Sequence, residues 1–268
     1  MDTKIKEILE EKDENKRFSN INFLLKINRI TIKQLEDYYI NNISINTISF
    51  TKRYKDKIDL KKIEEKIIQT NDEYLIYEFA KNIKVEDILP LEKAIIKTNN
   101  PKYILWFAIT IEKANINMLQ KAIIKTNNLQ YICYFASIVE DANIKELEEK
   151  IIKENNAIYI YYFASNVKAS NTKLLEEAII KTNNPEYIYY FARDVKGANI
   201  NLLEQAIINI NDIQYMLIFM QNVKEANVPF LAETILKSNN NKTKAYLQTY
   251  KTIKEQDKLI APKKILKK

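Results

Sequence analysis

Residues 156–183 read NAIYIYYFASNVKASNTKLLEEAIIKTN, and residues 184–211 read NPEYIYYFARDVKGANINLLEQAIININ. The two stretches align over 28 residues without a gap. The same period extends in both directions and gives each copy one phenylalanine, at Phe79, Phe107, Phe135, Phe163, Phe191 and Phe219. A fixed period of this length is the sequence signature of a repeat architecture, in which each copy is one supersecondary unit.

Each copy predicts two helices of about 11 residues. The first carries an apolar stripe at helical spacing, which in one copy consists of Tyr187, Phe191, Ala192 and Val195. The second carries another such stripe, which in the same copy consists of Ile200, Leu203, Ala206 and Ile207. Strict alternation of apolar and polar residues, the signal of a strand, is absent. The single glycine in 268 residues also disfavours a sheet-rich fold, because tight turns between strands rely on glycine.

Asparagine and aspartate recur at the predicted helix ends of each copy, in a chain where glycine is scarce. The N-cap position of the first helix is held by Asp72, Asn100, Asn128, Asn156, Asn184 and Asp212. Pro101 and Pro185 follow two of these caps, at the first helical position. One residue before each cap stands an asparagine that we expect in the left-handed conformation that ends a helix: Asn71, Asn99, Asn127, Asn155, Asn183 and Asn211. The second helix is predicted to be capped by Asn115, Asn143, Asn171, Asn199 and Asn227.

The predicted fold is an all-α solenoid of about six regular two-helix repeats of 28 residues, flanked by degenerate capping repeats. We assign residues 1–58 to N-terminal capping helices and a degenerate repeat, in which Thr31 and Gln34 have capping-box spacing. Residues 59–228 hold the regular repeats, and residues 229–268 hold a C-terminal capping repeat and a basic tail. No linker separates these parts, so one continuous domain is expected.

The architecture resembles the α-solenoid class that includes HEAT, armadillo and tetratricopeptide arrays. The resemblance lies in the two-helix repeat and covers most of the chain, and it points to no specific family. A period of 28 residues is shorter than those three repeats, which run from about 34 to more than 40 residues. The class implies a protein that binds its partners through an extended surface.

Composition limits the chemistry that the chain can perform. It has no histidine and one cysteine, Cys133, whose sequence neighbours include no base that would activate it. We therefore predict no metal, no cofactor and no catalytic residue, hence a protein that is not an enzyme. The N-terminal sequence MDTKIKEILEEKDENK is too charged for a signal peptide, and no apolar run reaches membrane-spanning length. A cytoplasmic protein without membrane contact is expected. The abundance of Lys, Asn, Ile and Tyr indicates an AT-rich genome, bacterial or phage.

The repeated Phe, Tyr and Ile positions are predicted to form the core. The position two residues before each phenylalanine lies about 160° from it on a helix, so we expect it to be exposed. This first row consists of Tyr77, Leu105, Cys133, Tyr161, Tyr189 and Leu217. A second row, nearer the core boundary, consists of Trp106, Tyr134, Tyr162 and Tyr190, and Arg193 is among the polar neighbours of the first row. The two rows and Arg193 are candidate partner-binding residues, and half-burial of the rings between adjacent helices is the structural alternative.

The net charge of +7 comes from the C-terminal tail. Residues 61–240 carry 21 basic and 23 acidic residues, whereas residues 241–268 carry 9 basic and 2 acidic residues. The candidate polyanion-binding residues of the tail are Lys258, Lys263, Lys264, Lys267 and Lys268. A merely solvated tail is the other interpretation. Carboxylate pairs such as Glu148-Glu149 and Glu176-Glu177 are expected on solvated helix surface.

These observations favour a non-enzymatic solenoid that binds a protein partner through the aromatic rows. An inhibitor or adaptor of a host effector, encoded by a phage or a bacterium, is one form that this hypothesis takes. The alternative is a nucleic-acid-binding repeat protein that stacks bases on its aromatic rings and holds phosphates with its tail. The acidic balance of the repeat body disfavours that alternative. The sequence makes no prediction of oligomeric state.

Overall fold

The computed structural model describes residues 2–237, and these contain 17 α-helices, one short 3-10 helix at Lys55–Lys57 and no β-strand. The all-α prediction is therefore confirmed for the described residues. Contacts divide the chain into two compact units, Met1–Asn143 and Ile144–Lys268. The lysines of the predicted tail and the part of the C-terminal capping repeat after Lys237 lie outside the described residues.

The first unit contains ten helices. They are α1 (Thr3–Leu9), α2 (Glu14–Lys26), α3 (Ile32–Asn41), α4 (Ile45–Tyr54), α5 (Leu60–Gln69), α6 (Glu73–Asn82), α7 (Leu89–Lys97), α8 (Pro101–Thr110), α9 (Ile116–Lys125) and α10 (Leu129–Ile138). Helices α4, α6, α8 and α10 pack side by side in chain order, and α3, α5, α7 and α9 do the same. From α5 to α10, each helix also packs against its chain neighbour in the other layer.

The described part of the second unit contains seven helices. They are α11 (Ile144–Lys153), α12 (Ala157–Asn166), α13 (Thr172–Lys181), α14 (Pro185–Asp194), α15 (Ile200–Ile210), α16 (Ile213–Asn222) and α17 (Val228–Lys237). Helix α14 packs between α12 and α16, and α13 packs against α15. We call α6, α8, α10, α12, α14 and α16 the Phe helices, and α5, α7, α9, α11, α13 and α15 the Ile helices.

The predicted helix ends are confirmed. All six asparagines that precede a Phe helix have φ between 50° and 60°, in the left-handed region that ends the preceding helix. The next side chain caps the Phe helix in every case by accepting a backbone N–H from its first turn. Pro101 and Pro185 are the first residues of α8 and α14. Thr31 and Gln34 form the predicted capping box at α3.

The predicted core is confirmed at its Phe positions and at the first isoleucine of each pair. The six phenylalanines of the Phe helices are completely buried, and so is the first isoleucine of each Ile-Ile pair. The second isoleucine is half-buried. The repeated tyrosine four residues before each phenylalanine is also only half-buried, so the expectation of a core position is wrong there. These tyrosines are Tyr103, Tyr131, Tyr159, Tyr187 and Tyr215.

A row of buried polar side chains runs along the Ile helices and was not expected. Glu148 and Glu176 are almost completely buried, so their predicted location on solvated surface is wrong. Each accepts a hydrogen bond from the backbone N–H of the asparagine that caps the next Ile helix. Glu148 Oε1 lies 2.6 Å from Asn171 N, and Glu176 Oε1 lies 2.5 Å from Asn199 N. We call this slot the buried acceptor position.

The buried acceptor position recurs in both units. It is held by Glu36, Glu92, Gln120, Glu148, Glu176 and Glu204, and each bonds to the backbone N–H of the residue 23 positions later. Burial raises the pKa of Glu92, Glu148 and Glu176 above the usual glutamate value, and the backbone N–H only partly offsets it. Within a unit, as between α7 and α9 or between α13 and α15, the side chain joins neighbouring helices of the same layer and satisfies an N–H group that would otherwise lack a partner.

Candidate functional site

Aromatic side chains of neighbouring Phe helices are in contact in the first unit. The ring centroid of Tyr77 on α6 lies 6.0 Å from that of Tyr103 and 5.6 Å from that of Trp106, both on α8. Tyr103 and Trp106 are 5.3 Å apart in an edge-to-face arrangement. The Tyr77 hydroxyl lies 3.2 Å from Oγ1 of Thr110, also on α8. Tyr77 therefore points toward the neighbouring helix and not into solvent.

The expected exposure of the first row is wrong for four of its members. Tyr77, Leu105, Cys133 and Tyr189 are buried, while Tyr161 and Leu217 are half-buried. The physical reason is that a Phe helix inside a layer has a neighbour on both sides as well as the other layer beneath it. The position opposite the phenylalanine on a helical wheel is then covered by the adjacent Phe helix. The structural alternative stated for this row accounts for these four residues.

The buried thiol of Cys133 does not supply a nucleophile at neutral pH. Burial raises its pKa to about 12, so the thiolate is scarcely populated. Cys133 is completely buried in α10, between Tyr131 and Tyr134 in the sequence of that helix. A partner cannot touch it without opening the helix layer.

The second row is the one that reaches the surface. Trp106, Tyr134, Tyr162 and Tyr190 are each half-buried. One residue before the phenylalanine lies about 100° from it, which places these rings at the edge of the core. Two of them still contact the neighbouring Phe helix, Trp106 through Tyr77 and Tyr190 through Tyr161. The repeated tyrosine three residues earlier shares this face, because residues three apart on a helix are adjacent. In the first unit Tyr131 and Tyr134 are 5.9 Å apart, edge to face.

Exposed apolar side chains flank the aromatic face of the first unit. Ile109 at the end of α8 is 49% exposed and Ile138 at the end of α10 is 53% exposed. Tyr74 in the first turn of α6 is 45% exposed. The one charged residue of α8, Lys102, has its Nζ 4.4 Å from the ring centroid of Trp106 and 5.3 Å from that of Tyr103. We define the aromatic face of the first unit as Tyr103, Trp106, Tyr131 and Tyr134 together with Ile109 and Ile138.

The second unit has a comparable cluster on α12 and α14. The ring of Tyr161 lies 6.0 Å from that of Tyr187 and 5.8 Å from that of Tyr190. Tyr187 and Tyr190 are 5.7 Å apart, edge to face. The Tyr161 hydroxyl donates a 2.7 Å hydrogen bond to Oδ2 of Asp194, which joins the middle of α12 to the end of α14.

Arg193 is exposed, and its guanidinium donates three hydrogen bonds within α14. Its Nε and Nη2 each donate a 2.7 Å hydrogen bond to the Asp194 carboxylate, and its Nη1 donates a 3.0 Å bond to the hydroxyl of Tyr189. The guanidinium also lies 4.9 Å from the ring centroid of Tyr190. These bonds raise the pKa of Arg193 and lower that of Asp194. The arginine therefore orders the aromatic cluster more than it offers a free charge.

Charged residues are scarce on four of the six Phe helices, α8, α10, α12 and α16. The sequences of α10, α12 and α16 contain no Asp, Glu, Lys or Arg, although such residues make up 29% of the chain. The Ile helix α11 shows the contrast, with six charged residues in IKELEEKIIK. Aromatic enrichment with charge depletion is the compositional signature of the centre of a protein–protein interface.

The described residues offer few other sites. Among them no group of three or more Cys, Asp or Glu side chains is arranged to hold a metal ion. No helix within residues 2–237 is long and apolar enough to cross a bilayer. Comparison of the chain with protein-family models, with curated proteins and with solved structures finds no significant match.

Proposed function

We propose that the chain is a cytoplasmic, non-enzymatic α-solenoid of 28-residue repeats, related in architecture to HEAT-like arrays, that binds a protein partner. The observation that carries this proposal is the half-exposed aromatic face of the first unit, on helices almost without charge. Rings in this setting are already held by their neighbours, so contact with a partner costs little side-chain entropy. The flanking exposed isoleucines, Ile109 and Ile138, add apolar area that a partner would remove from water.

The unit 2 cluster supports the same function. Tyr162, Tyr187 and Tyr190 are half-buried, and Tyr161 and Arg193 fix the orientation of two of these rings. Interface hot spots are enriched in Tyr, Trp and Arg. The buried members of the first row are Tyr77, Leu105, Cys133 and Tyr189. They support the surface rings by packing and make no direct contact with a partner.

Nucleic-acid binding is less well supported by the described residues. A groove for a phosphate backbone needs free cations along its length. Lys102 is occupied over the rings of Trp106 and Tyr103, and Arg193 is paired with Asp194. The tail lysines, which carry that alternative, lie outside the described residues. An inhibitor or adaptor of a host effector is the form of protein binding that we favour, on the compositional signs of a phage or bacterial origin.

Affinity capture of the full chain from an extract of its native host, with and without nuclease, tests the proposal. The expected result is one or more proteins that are retained equally well after nuclease treatment. Retention that disappears with nuclease would instead support nucleic-acid binding. A second sample that lacks residues 258–268 separates the tail from the helical body, because protein binding by the aromatic faces does not require those residues.

A further inference from the structure

The aromatic clusters of the two units share one arrangement of rings. Each cluster has three rings at equivalent repeat positions, Tyr77, Tyr103 and Trp106 in the first unit and Tyr161, Tyr187 and Tyr190 in the second. The two rings on one helix meet edge to face, with centroids 5.3 Å apart on α8 and 5.7 Å apart on α14. The ring on the preceding Phe helix lies between 5.6 and 6.0 Å from both of them in each unit. The two clusters therefore present nearly the same aromatic surface.

The first cluster holds a cation of its own chain. Lys102, the residue before Tyr103, has its Nζ 4.4 Å from the ring centroid of Trp106 and 5.3 Å from that of Tyr103. Its side chain forms no ion pair and no hydrogen bond with any described residue. The attraction of an ammonium group to the negative faces of aromatic rings accounts for this position. A ring pair of this geometry thus binds an ammonium group even without a carboxylate beside it.

The second cluster has a carboxylate where the first has the lysine. Glu186 precedes Tyr187 as Lys102 precedes Tyr103. Oε1 of Glu186 accepts a 3.2 Å hydrogen bond from the hydroxyl of Tyr190, and this bond raises the pKa of that hydroxyl. Glu186 forms no ion pair with a described residue. The rings of α14 therefore have a negative charge beside them and lack the lysine that α8 supplies.

The surroundings of Glu186 do not compensate its charge. Arg193 also lies over the Tyr190 ring, but it is about two turns farther along α14 and is paired with Asp194. On the side of α16, burial raises the pKa of Tyr215 most, and the charge of Glu186 raises it further. Glu186 is therefore close to the half-buried ring of Tyr215, which borders the same surface.

We propose that Glu186, Tyr187 and Tyr190 bind a lysine or arginine side chain of the protein partner, in the position that Lys102 takes on α8. The cation pairs with the carboxylate and lies against the rings, so a charge-assisted bond adds to the cation–π attraction. All three residues are half-buried, which leaves them accessible and removes part of the water that would screen the pair. This inference rests on the proposed function, and it specifies a partner that presents a basic segment.

Hexalysine with a fluorescent label, titrated with the full chain at low ionic strength, tests the site by fluorescence anisotropy. We expect saturable binding to the wild type. The variant Glu186→Gln copies Gln130, which holds the same slot on α10 and donates a 2.9 Å hydrogen bond to the hydroxyl of Tyr134. The fold is therefore expected to tolerate it. Loss of the charge should weaken hexalysine binding roughly tenfold, the scale of one hydrogen bond to a charged group.

A lysine at the same slot gives a sharper test. Glu186→Lys supplies the side chain that α8 has, so its ammonium should occupy the ring pair and weaken hexalysine binding more than Glu186→Gln does. Glu177→Lys makes the same change in net charge at an exposed position of α13 and should bind hexalysine like the wild type. A wild type without saturable binding would overturn the proposal. Equal weakening by the two lysine variants would also overturn it, because the attraction would then come from net charge and not from this site.

The captured partner separates this inference from the proposed function. We expect its affinity for Glu186→Gln to fall by a factor similar to that for hexalysine. A partner that binds Glu186→Gln and the wild type equally, yet loses affinity when rings of the aromatic face of the first unit are removed, would overturn the cation site and leave protein binding intact.

Discussion

The backbone N–H of Asn199 donates a 2.5 Å hydrogen bond to Oε1 of Glu176, a carboxylate that is almost completely buried between α13 and α15. The two residues are 23 positions apart, and one belongs to the body of an Ile helix while the other caps the next one. Asn199 therefore has two roles, since its side chain caps α15 and its backbone fixes the distance to α13. Neighbouring helices are held by this bond as well as by apolar packing.

A neutral side chain should serve as well as a glutamate at the buried acceptor position. We expect Glu148→Gln to keep or raise the free energy of unfolding at pH 7, because burial outweighs the hydrogen bond and raises the pKa of Glu148. With a raised native pKa, the wild type loses stability as pH rises, so the advantage of the variant should shrink below pH 4. Urea unfolding at several pH values measures this.

Gln120 is the internal precedent for that substitution, because it accepts the N–H of Asn143 at 2.8 Å. The reverse variant Gln120→Glu is the matched control and should show the opposite pH trend. A Glu148→Gln variant that is less stable than the wild type at pH 7 by more than about 1 kcal/mol would show that the ionised carboxylate contributes net stability.

The asparagines with positive φ make a second prediction. Asn183 has φ 52°, in the left-handed region. This conformation costs most residues about 1–2 kcal/mol, whereas Asn and Gly adopt it readily. We expect Asn183→Ala to lower the free energy of unfolding by about 1 kcal/mol, and Asn183→Gly to change it by less than half of that. Thermal unfolding of the two variants beside the wild type is sufficient. An alanine variant as stable as the glycine variant would contradict the account of these helix ends.

The hydrogen bond between Tyr161 and Asp194 makes a third prediction. Tyr161→Phe removes the hydroxyl that donates to the carboxylate at 2.7 Å and retains the ring. We expect a loss of about 1 kcal/mol in the free energy of unfolding, at the low end for a bond to a charged group because the pair is partly exposed. Tyr187→Phe is the control, because its hydroxyl makes no hydrogen bond to a described residue while its ring belongs to the same cluster. Equal losses in the two variants would mean that the bond to Asp194 contributes nothing.

A core substitution tests how much a repeated phenylalanine contributes to the free energy of unfolding. Phe163 is completely buried in α12, so Phe163→Ala should cost about 3–5 kcal/mol of unfolding free energy. Ser165→Ala, two residues later on the exposed side of the same helix, should change stability by less than about 0.5 kcal/mol. Calorimetry that finds the two variants equally stable would disprove the core position of Phe163.

The local parts of the fold were predictable from the sequence. Helix caps depend on a few adjacent residues, and Asn100, Pro101 and Asn99 carry their own backbone preferences wherever the helix lies. The phenylalanines were also predictable, because a large apolar residue at helical spacing has few other uses. In both cases the interactions that decide the structure are within one turn of helix or one apolar stripe.

The exposed face was not predictable from a single helical wheel. A wheel shows which side of α14 carries Phe191, but it does not show that α12 and α16 cover both flanks and bury Tyr189. The surface direction is then shifted from Tyr189 to Tyr190. The buried acceptor position was missed for a similar reason. Glu176 has the composition of a surface residue, and only the recurrence of Glu or Gln at a 28-residue interval distinguishes it from Glu177, which is exposed.

The most direct test of the binding account is the affinity of the captured partner for variants of the first unit. The double change Trp106→Ile and Tyr134→Ile removes two rings from the aromatic face and introduces the side chain that Ile218 supplies at the same slot of α16. We therefore expect the fold to tolerate the change and the melting temperature to move little. We expect partner binding to weaken by about 2 kcal/mol or more, roughly thirtyfold, because such rings dominate interface energies. A double variant that melts like the wild type and binds the partner with unchanged affinity would contradict the assignment of this face.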